Sequence, residues 1–279
     1  ITCMNDRENV SAIFCENMKR IQEQFKDIIQ IRVHAAVSTD EAVQLVKGYG
    51  FTCIKIDNKP LGRKWNNAVS TAFYGSHSDY FMISGDDDIF SPEYFEKAYY
   101  YMKEKVDHFG VDNLYFLDAV NDMACIYKYG KYQRKVVGAG RFISYRALQR
   151  VLLQVRCILR LNHGIDQPHG NRAGQTIWMP EDIAMYLQSM GYATITSEPE
   201  YRVWNDELEK SFDTQLEMQL VKSGFIPEFM PCDKPMITDI KSGTNIWSFD
   251  KLLPESVECG YEQAMEFFSA EERRMTDVL

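Results

Sequence analysis

The sequence predicts an α/β fold, with a mostly parallel central sheet flanked by helices and a helical or irregular carboxyl-terminal extension. Strand-like runs and amphipathic helical stretches alternate four times before residue 105, the pattern of a parallel sheet with helices on both faces. The connections are short and rich in turn-forming residues. One apolar run, Tyr80 to Ile83, leads into three consecutive carboxylates, Asp86, Asp87 and Asp88, just before a helix start.

Ile1 to Met4 reads as the end of a strand, and Asn5 to Asn9 as the polar turn after it. Val10, Ile13, Phe14, Met18, Ile21 and Phe25 recur at helical spacing. Ile28 to Val37 alternates as a second strand. Ser38-Thr39-Asp40-Glu41 caps a short helix that ends near Gly48 and Gly50. Phe51 to Ile56 is a third strand, Asn58 to Lys64 a turn, and Trp65 to Phe73 a helix. Tyr80 to Ile83 is a short apolar strand. Ser91-Pro92-Glu93 opens the next helix with a hydroxyl cap, a first-turn proline and an acid at the positive dipole end.

Beyond residue 105 the spacing changes. Leu114 to Asp118, Met123 to Lys128 and Tyr132 to Val137 read as strands of a mixed or antiparallel extension. Ser144 caps a helix carrying Leu148, Val151 and Leu152. Residues 162–176 form a long polar segment, a length that is usually functional. Pro180-Glu181-Asp182 opens a helix striped by Ile183, Tyr186, Leu187 and Met190. The expected division is a domain over 1–205, in two halves of 1 to about 110 and about 111 to 205, and an extension over 206–279 packed on it.

Composition narrows the function. Hydrophobic residues at 45% supply an ample core, while 31 basic against 40 acidic residues, a net of −9, disfavour a surface built for nucleic acid. The seven cysteines are odd in number and lack a Cys-x-x-Cys pair. Neither a zinc site nor a disulfide framework is indicated, and a cytoplasmic location is expected. No apolar segment approaches the ~18–20 residues that cross a bilayer. No secretory signal is read, and the start at Ile1 is compatible with an earlier beginning of the natural chain.

In a parallel sheet the turns after the strands share one edge, where ligands bind. Asn5 to Arg7, Pro60 to Lys64 and Asp86 to Asp88 are therefore expected to converge. Three adjacent carboxylates repel one another, which a divalent cation such as Mg²⁺ or Mn²⁺ offsets. A solvated acidic turn is the plainer alternative.

The Asp-x-Asp turn, Pro60-Leu61-Gly62-Arg63-Lys64-Trp65-Asn66-Asn67 upstream and Pro180-Glu181-Asp182 downstream together resemble the glycosyltransferase A fold, most closely the inverting family two glycosyltransferases, over roughly residues 1 to 205. The resemblance implies sugar transfer from a nucleoside diphosphate sugar, UDP first, to a hydroxyl acceptor such as a glycan, with Mn²⁺ or Mg²⁺ as cofactor. It implies Asp88 and Asp86 as metal ligands, although the register also allows Asp87 with Asp88. Asp182 carries over as the general base, with Glu181 beside it; acids in a first helical turn also stabilise it without catalysis. Cys3, Asn5, Arg7, Ser38, Lys64, Asp86, Asp87, Gly140, Arg141 and Lys241 are the implied nucleotide-sugar contacts. His163, His169 and Trp178 are candidates on the acceptor side. The aspartate the family often carries after its second strand is absent, since Ala35-Ala36-Val37-Ser38 stands there. Competing readings are a sugar-nucleotidyltransferase, a non-catalytic sugar-binding module of the same fold, and glycosylation of a modified nucleic acid. A nucleotidyltransferase wants a glycine-rich phosphate loop after the first strand, and Asn5-Asp6-Arg7-Glu8 is not one.

Overall fold

The computed structural model describes residues 1–128, 136–159, 176–191, 193–196, 200–204, 206–208, 212–241, 249 and 256–279. For 153–156, 159, 176–183, 200, 201 and 213 it describes the backbone alone. The amino-terminal half is the expected α/β alternation: β1 (Thr2–Met4), α1 (Glu8–Phe25), β2 (His34–Val37), α2 (Asp40–Gly48), β3 (Thr52–Lys55), α3 (Leu61–Ser76), β4 (Tyr80–Ile83), β5 (Asp88–Phe90) and α4 (Pro92–Lys103). Thr39 and Ser91 cap α2 and α4, accepting from Ala42 N at 3.1 Å and Tyr94 N at 3.2 Å. The apolar stripe of α1 is buried from Val10 to Phe25.

β1, β2 and β3 pair in parallel. Two bonds lay β4 beside β1 in the same direction: the Ile1 amino group donates to Met82 O at 2.7 Å, and Ser84 N donates to Ile1 O at 3.1 Å. Past β4 the sheet turns antiparallel, as the changed spacing suggested. The chain continues through β6 (His108–Gly110), β7 (Asn113–Asp118), β8 (Met123–Lys128) and β9 (Arg141–Ser144); β4 and β6 are both antiparallel to β9, while β7 and β8 pair antiparallel in a separate sheet. Then follow α5 (Tyr145–Leu152), β10 (Leu153–Leu159), β11 (Thr176–Pro180), α6 (Glu181–Ser189), β12 (Ala193–Ile195) and β13 (Glu200–Tyr201). β11, β12 and β13 all pair with β10 antiparallel.

The last quarter enters the sheets. Among its described elements are α7 (Phe212–Lys222), β14 (Glu228–Phe229), β15 (Ile237–Lys241), β16 (Ser256–Cys259), α8 (Tyr261–Ala264) and α9 (Ala270–Thr276). β15 lies between β5 and β7, antiparallel to the first and parallel to the second. α9 packs on α1 through Glu272, which is 0% exposed and accepts from Asn17 Nδ2 and Arg20 Nε, each at 3.1 Å.

Three local expectations shift. Residues 28–33 are not strand: Ile28 and Ile29 donate back to Phe25 O, so the end of α1 takes the first part of the alternating run. α3 begins at Leu61, because Gly62 N and Arg63 N donate to Leu208 O and Asp206 O at 2.8 and 3.1 Å. Gly62, Arg63 and Lys64 thus sit in a helical turn. Residues 141–144, read as the approach to a helix, form β9, with Ser144 still capping α5 through Ala147 N at 3.2 Å. The expected strand at Tyr132 to Val137 falls mostly outside the described residues.

Candidate active site

The carboxyl ends of β1, β2 and β3 and the Asp86–Asp88 turn meet on one edge. Arg7, in the turn after β1, donates NH1 to Asp87 Oδ2 at 2.9 Å and NH2 to Asp86 Oδ1. Asp86 is 1% exposed, and its second oxygen accepts from Ser11 Oγ at 2.5 Å. Both of its oxygens are therefore committed. Asp88 turns the other way, with Oδ2 accepting from Gly85 N at 2.7 Å and Ser84 Oγ at 3.1 Å.

A further carboxylate joins them. β15 pairs Asp239 with Asp88, and ligand oxygens of Asp87, Asp88 and Asp239 lie within 4.8 Å of one another. Oδ2 of Asp239 accepts from Lys241 Nζ at 2.7 Å, whereas its Oδ1 is buried with no hydrogen-bond partner among the described residues. Lys241 Nζ also lies 4.9 Å from the centre of the Phe116 ring. An unpartnered buried oxygen beside two more carboxylates is the hard-oxygen donor set that suits Mg²⁺ or Mn²⁺.

The electrostatics follow from this crowding. Burial raises Asp88 well above the usual carboxylate range, with repulsion from Asp239 and Asp87 adding to it. Burial also lifts Asp239, to about 7, against the pull of Lys241. Asp86 is raised by burial despite Arg7. At Asp87 burial acts upward too, but Arg7 and then Lys241 outweigh it and leave the group below its ordinary value.

The remaining expected contacts fall in several places. Asn5 Nδ2 donates to Asp6 Oδ1 at 2.7 Å. Cys3, on β1, has its thiol raised by burial. Lys64 reaches Met4 O, Ser38 Oγ and Asn58 Oδ1, which brings Ser38 to the same edge. Gly140 has φ +70°, and a Cβ there would lie 2.5 Å from Phe90 Cε1, so its smallness serves packing against β5 and α4. Arg141 is 2% exposed, with NH1 3.1 Å from Glu217 Oε2 of α7. It is a buried tie between β9 and α7. Trp178 stands in β11, and Glu181 and Asp182 open α6; their side chains lie outside the described structure, as do His163 and His169 entirely.

Sequence reasoning missed Asp239 and Ser11. The signal for Asp239 was present in Ile237-Thr238-Asp239-Ile240-Lys241, an alternation that puts two opposite charges on one strand face. Ser11 left no comparable trace, being one hydroxyl on a helix face otherwise read as apolar.

Residues 8–142 match the family model described as glycosyl transferase family 2. The mixed α/β architecture built around them is of the glycosyltransferase A type. The family supports a transferase that uses a nucleotide sugar. No curated protein matches the sequence. Solved structures with some likeness include CMP:2-keto-3-deoxy-manno-octonic acid synthetase complexed with CTP, at 11% identity and TM-score 0.36 over 91% of this chain and 95% of that one. The inositol-1-phosphate CTP transferase from T. maritima gives 12% and 0.36 over 91% and 94%. The bifunctional IspDF from Campylobacter jejuni gives 10% and 0.32 over 60% of this chain, which spans 38% of that longer protein. Scores this low carry no argument about activity. Among the described residues no helix is long and apolar enough to cross a membrane.

Proposed function

We propose that the protein is a metal-dependent inverting glycosyltransferase that moves a sugar from a nucleoside diphosphate sugar, UDP first, to a hydroxyl acceptor such as a glycan. The observation that carries the reading is the cluster of Asp87, Asp88 and Asp239 at the ligand edge, flanked by Arg7 and Lys241. Asp88, Asp87 and Asp239 would hold the divalent ion, and Asp86, with one oxygen on Arg7 and the other on Ser11, would position Arg7. Of the two registers left open by the sequence, this geometry favours Asp87 with Asp88. When bound, the ion offsets the charge that grows on the departing diphosphate. Arg7, held on Asp87, and Lys241, held on Asp239, would supply fixed positive charge beside the cluster.

Asp182, in the first turn of α6, is the proposed general base. It takes the proton of the acceptor hydroxyl as that oxygen bonds to the anomeric carbon, while the bond from that carbon to the diphosphate oxygen breaks on the opposite face. One displacement inverts the centre and needs no covalent intermediate. The turn after β1 favours this over nucleotidyl transfer, because Arg7 is committed to the aspartates where that chemistry wants an open glycine-rich loop.

The test incubates the protein with UDP-sugars, Mn²⁺ and glycan acceptors, and in parallel with nucleoside triphosphates and sugar 1-phosphates. Mn²⁺-dependent UDP release that is lost in Asp88→Ala is expected. Pyrophosphate release in the second series, or no Mn²⁺-dependent nucleotide binding at all, would overturn the reading.

A further inference from the structure

Lys64 is a cation 1% exposed in the first turn of α3. An ammonium has three donors, and here each ends on a different turn. One goes to the Met4 carbonyl at the end of β1, one to Ser38 Oγ after β2 at 2.7 Å, and one to Asn58 Oδ1 after β3 at 2.9 Å. Burying an ammonium is costly, and all three acceptors are neutral. What the arrangement secures is a fixed spacing among three turns at the carboxyl ends of parallel strands, where ligands bind. Ser38 and Asn58 spend acceptor capacity on Lys64 and keep their own donor hydrogens for another partner.

The helix that carries Lys64 is itself anchored. Asn66 Oδ1 accepts from Val203 N and Trp204 N at 2.9 and 3.0 Å, and its Nδ2 donates to Trp204 O and Asp206 Oδ1 at 2.8 and 2.9 Å. Gly62 N and Arg63 N are engaged by Leu208 O and Asp206 O. The first turn of α3 thus offers neither a mobile lysine nor open amides to a phosphate.

We infer that Lys64 is a positioning residue, holding the turns after β1, β2 and β3 as the rim that takes the nucleoside of the donor, and that it makes no phosphate contact. The inference rests on the nucleotide-sugar reading above. It separates two roles that a basic residue on this edge can play, and phosphate number distinguishes them.

Calorimetric titrations with uridine, UMP and UDP, and with the guanosine series, are run on the wild type and on Lys64→Met. A loss of about tenfold or more, equal for nucleoside, monophosphate and diphosphate, is expected. In turnover the donor KM rises while kcat changes little. A loss that grows with each phosphate, or no loss at all, overturns the inference. Ser38→Ala removes one acceptor at a half-buried turn and must weaken all three ligands equally, by a smaller factor; it decides the matter should Lys64→Met not fold. Wild-type protein that binds neither series sinks the nucleotide-sugar reading itself, before any variant is compared.

Discussion

Three consecutive aspartates carry three different burdens, set by what each oxygen meets. Asp86 is spent on Arg7 and Ser11, whereas Asp88 faces Asp239, whose Oδ1 has no partner among the described residues. Mn²⁺ at saturating concentration should raise Tm in the wild type, because a ligand that binds only the folded state stabilises it by mass action. Asp88→Asn and Asp239→Asn should abolish that shift, and Asp86→Asn should retain most of it while weakening UDP binding through Arg7. A Tm shift lost only in Asp86→Asn would reverse the assignment. His34 gives a pH signature of its own. Both its ring nitrogens are buried without a partner among the described residues, and burial first, with Arg32 adding to it, lowers it from 6.5 to about 4. The unfolded chain takes up a proton near 6.5 that the folded chain refuses until about 4, so stability is full above 6.5 and falls with pH across that window. The loss should be about 1–2 kcal/mol once screening at this partly exposed ring is allowed for. Urea midpoints at pH 7.5 and 4.5 should show a smaller difference in His34→Phe than in the wild type.

At the scale of elements, α9 is joined to α1 by one buried carboxylate. Glu272 is fully enclosed, closes a capping box with Ser269, and receives Asn17 and Arg20. Glu272→Ala would leave those donors unpaired and remove the box, a cost of about 3 kcal/mol; urea unfolding followed by circular dichroism measures it. An unchanged midpoint would mean that α9 is not docked in this way. The elements legible in the sequence were those with length or a cap. The stripe of α1, Thr39 at α2, Ser91-Pro92 at α4 and the apolar runs of β7 and β8 each carry several residues of pattern. β5, β6 and β14 are two or three residues long, too short for any period to register. The start of α3 was hidden because its first amides are satisfied by residues 206 and 208, far along the chain. Asp239 escaped for the same reason: its pairing with Asp88 is a tertiary fact about two strands about 150 residues apart. The acidic turn itself was legible, because three carboxylates at a strand end need no partner to be noticed.

At the scale of the molecule, the placement of β15 argues that the two parts of the chain share one fold. Sequence patterning suggests a domain over 1–205, with the remainder packed on it. β15 nevertheless lies inside a sheet, pairing with both β5 and β7, and one buried cluster draws side chains from α1, β5, β7, β15 and α8. Removing β15 would leave β5 a short strand with no neighbour in its sheet and open one side of β7. It would also take Ile237 and Ile240, each 0% exposed, out of that buried cluster. Two fully buried isoleucines alone amount to about 4 kcal/mol or more of apolar burial, a large part of the ~5–15 kcal/mol that holds a domain folded. A protein ending at residue 230 should therefore lose cooperative unfolding and become rapidly degraded by trypsin, although it retains the whole segment from 8 to 142. Supplying residues 231–279 as a separate chain should restore protection, if the interface is the one described. A truncated protein with a sharp thermal transition and undiminished Mn²⁺ stabilisation would place both the core and the metal site wholly within the first part.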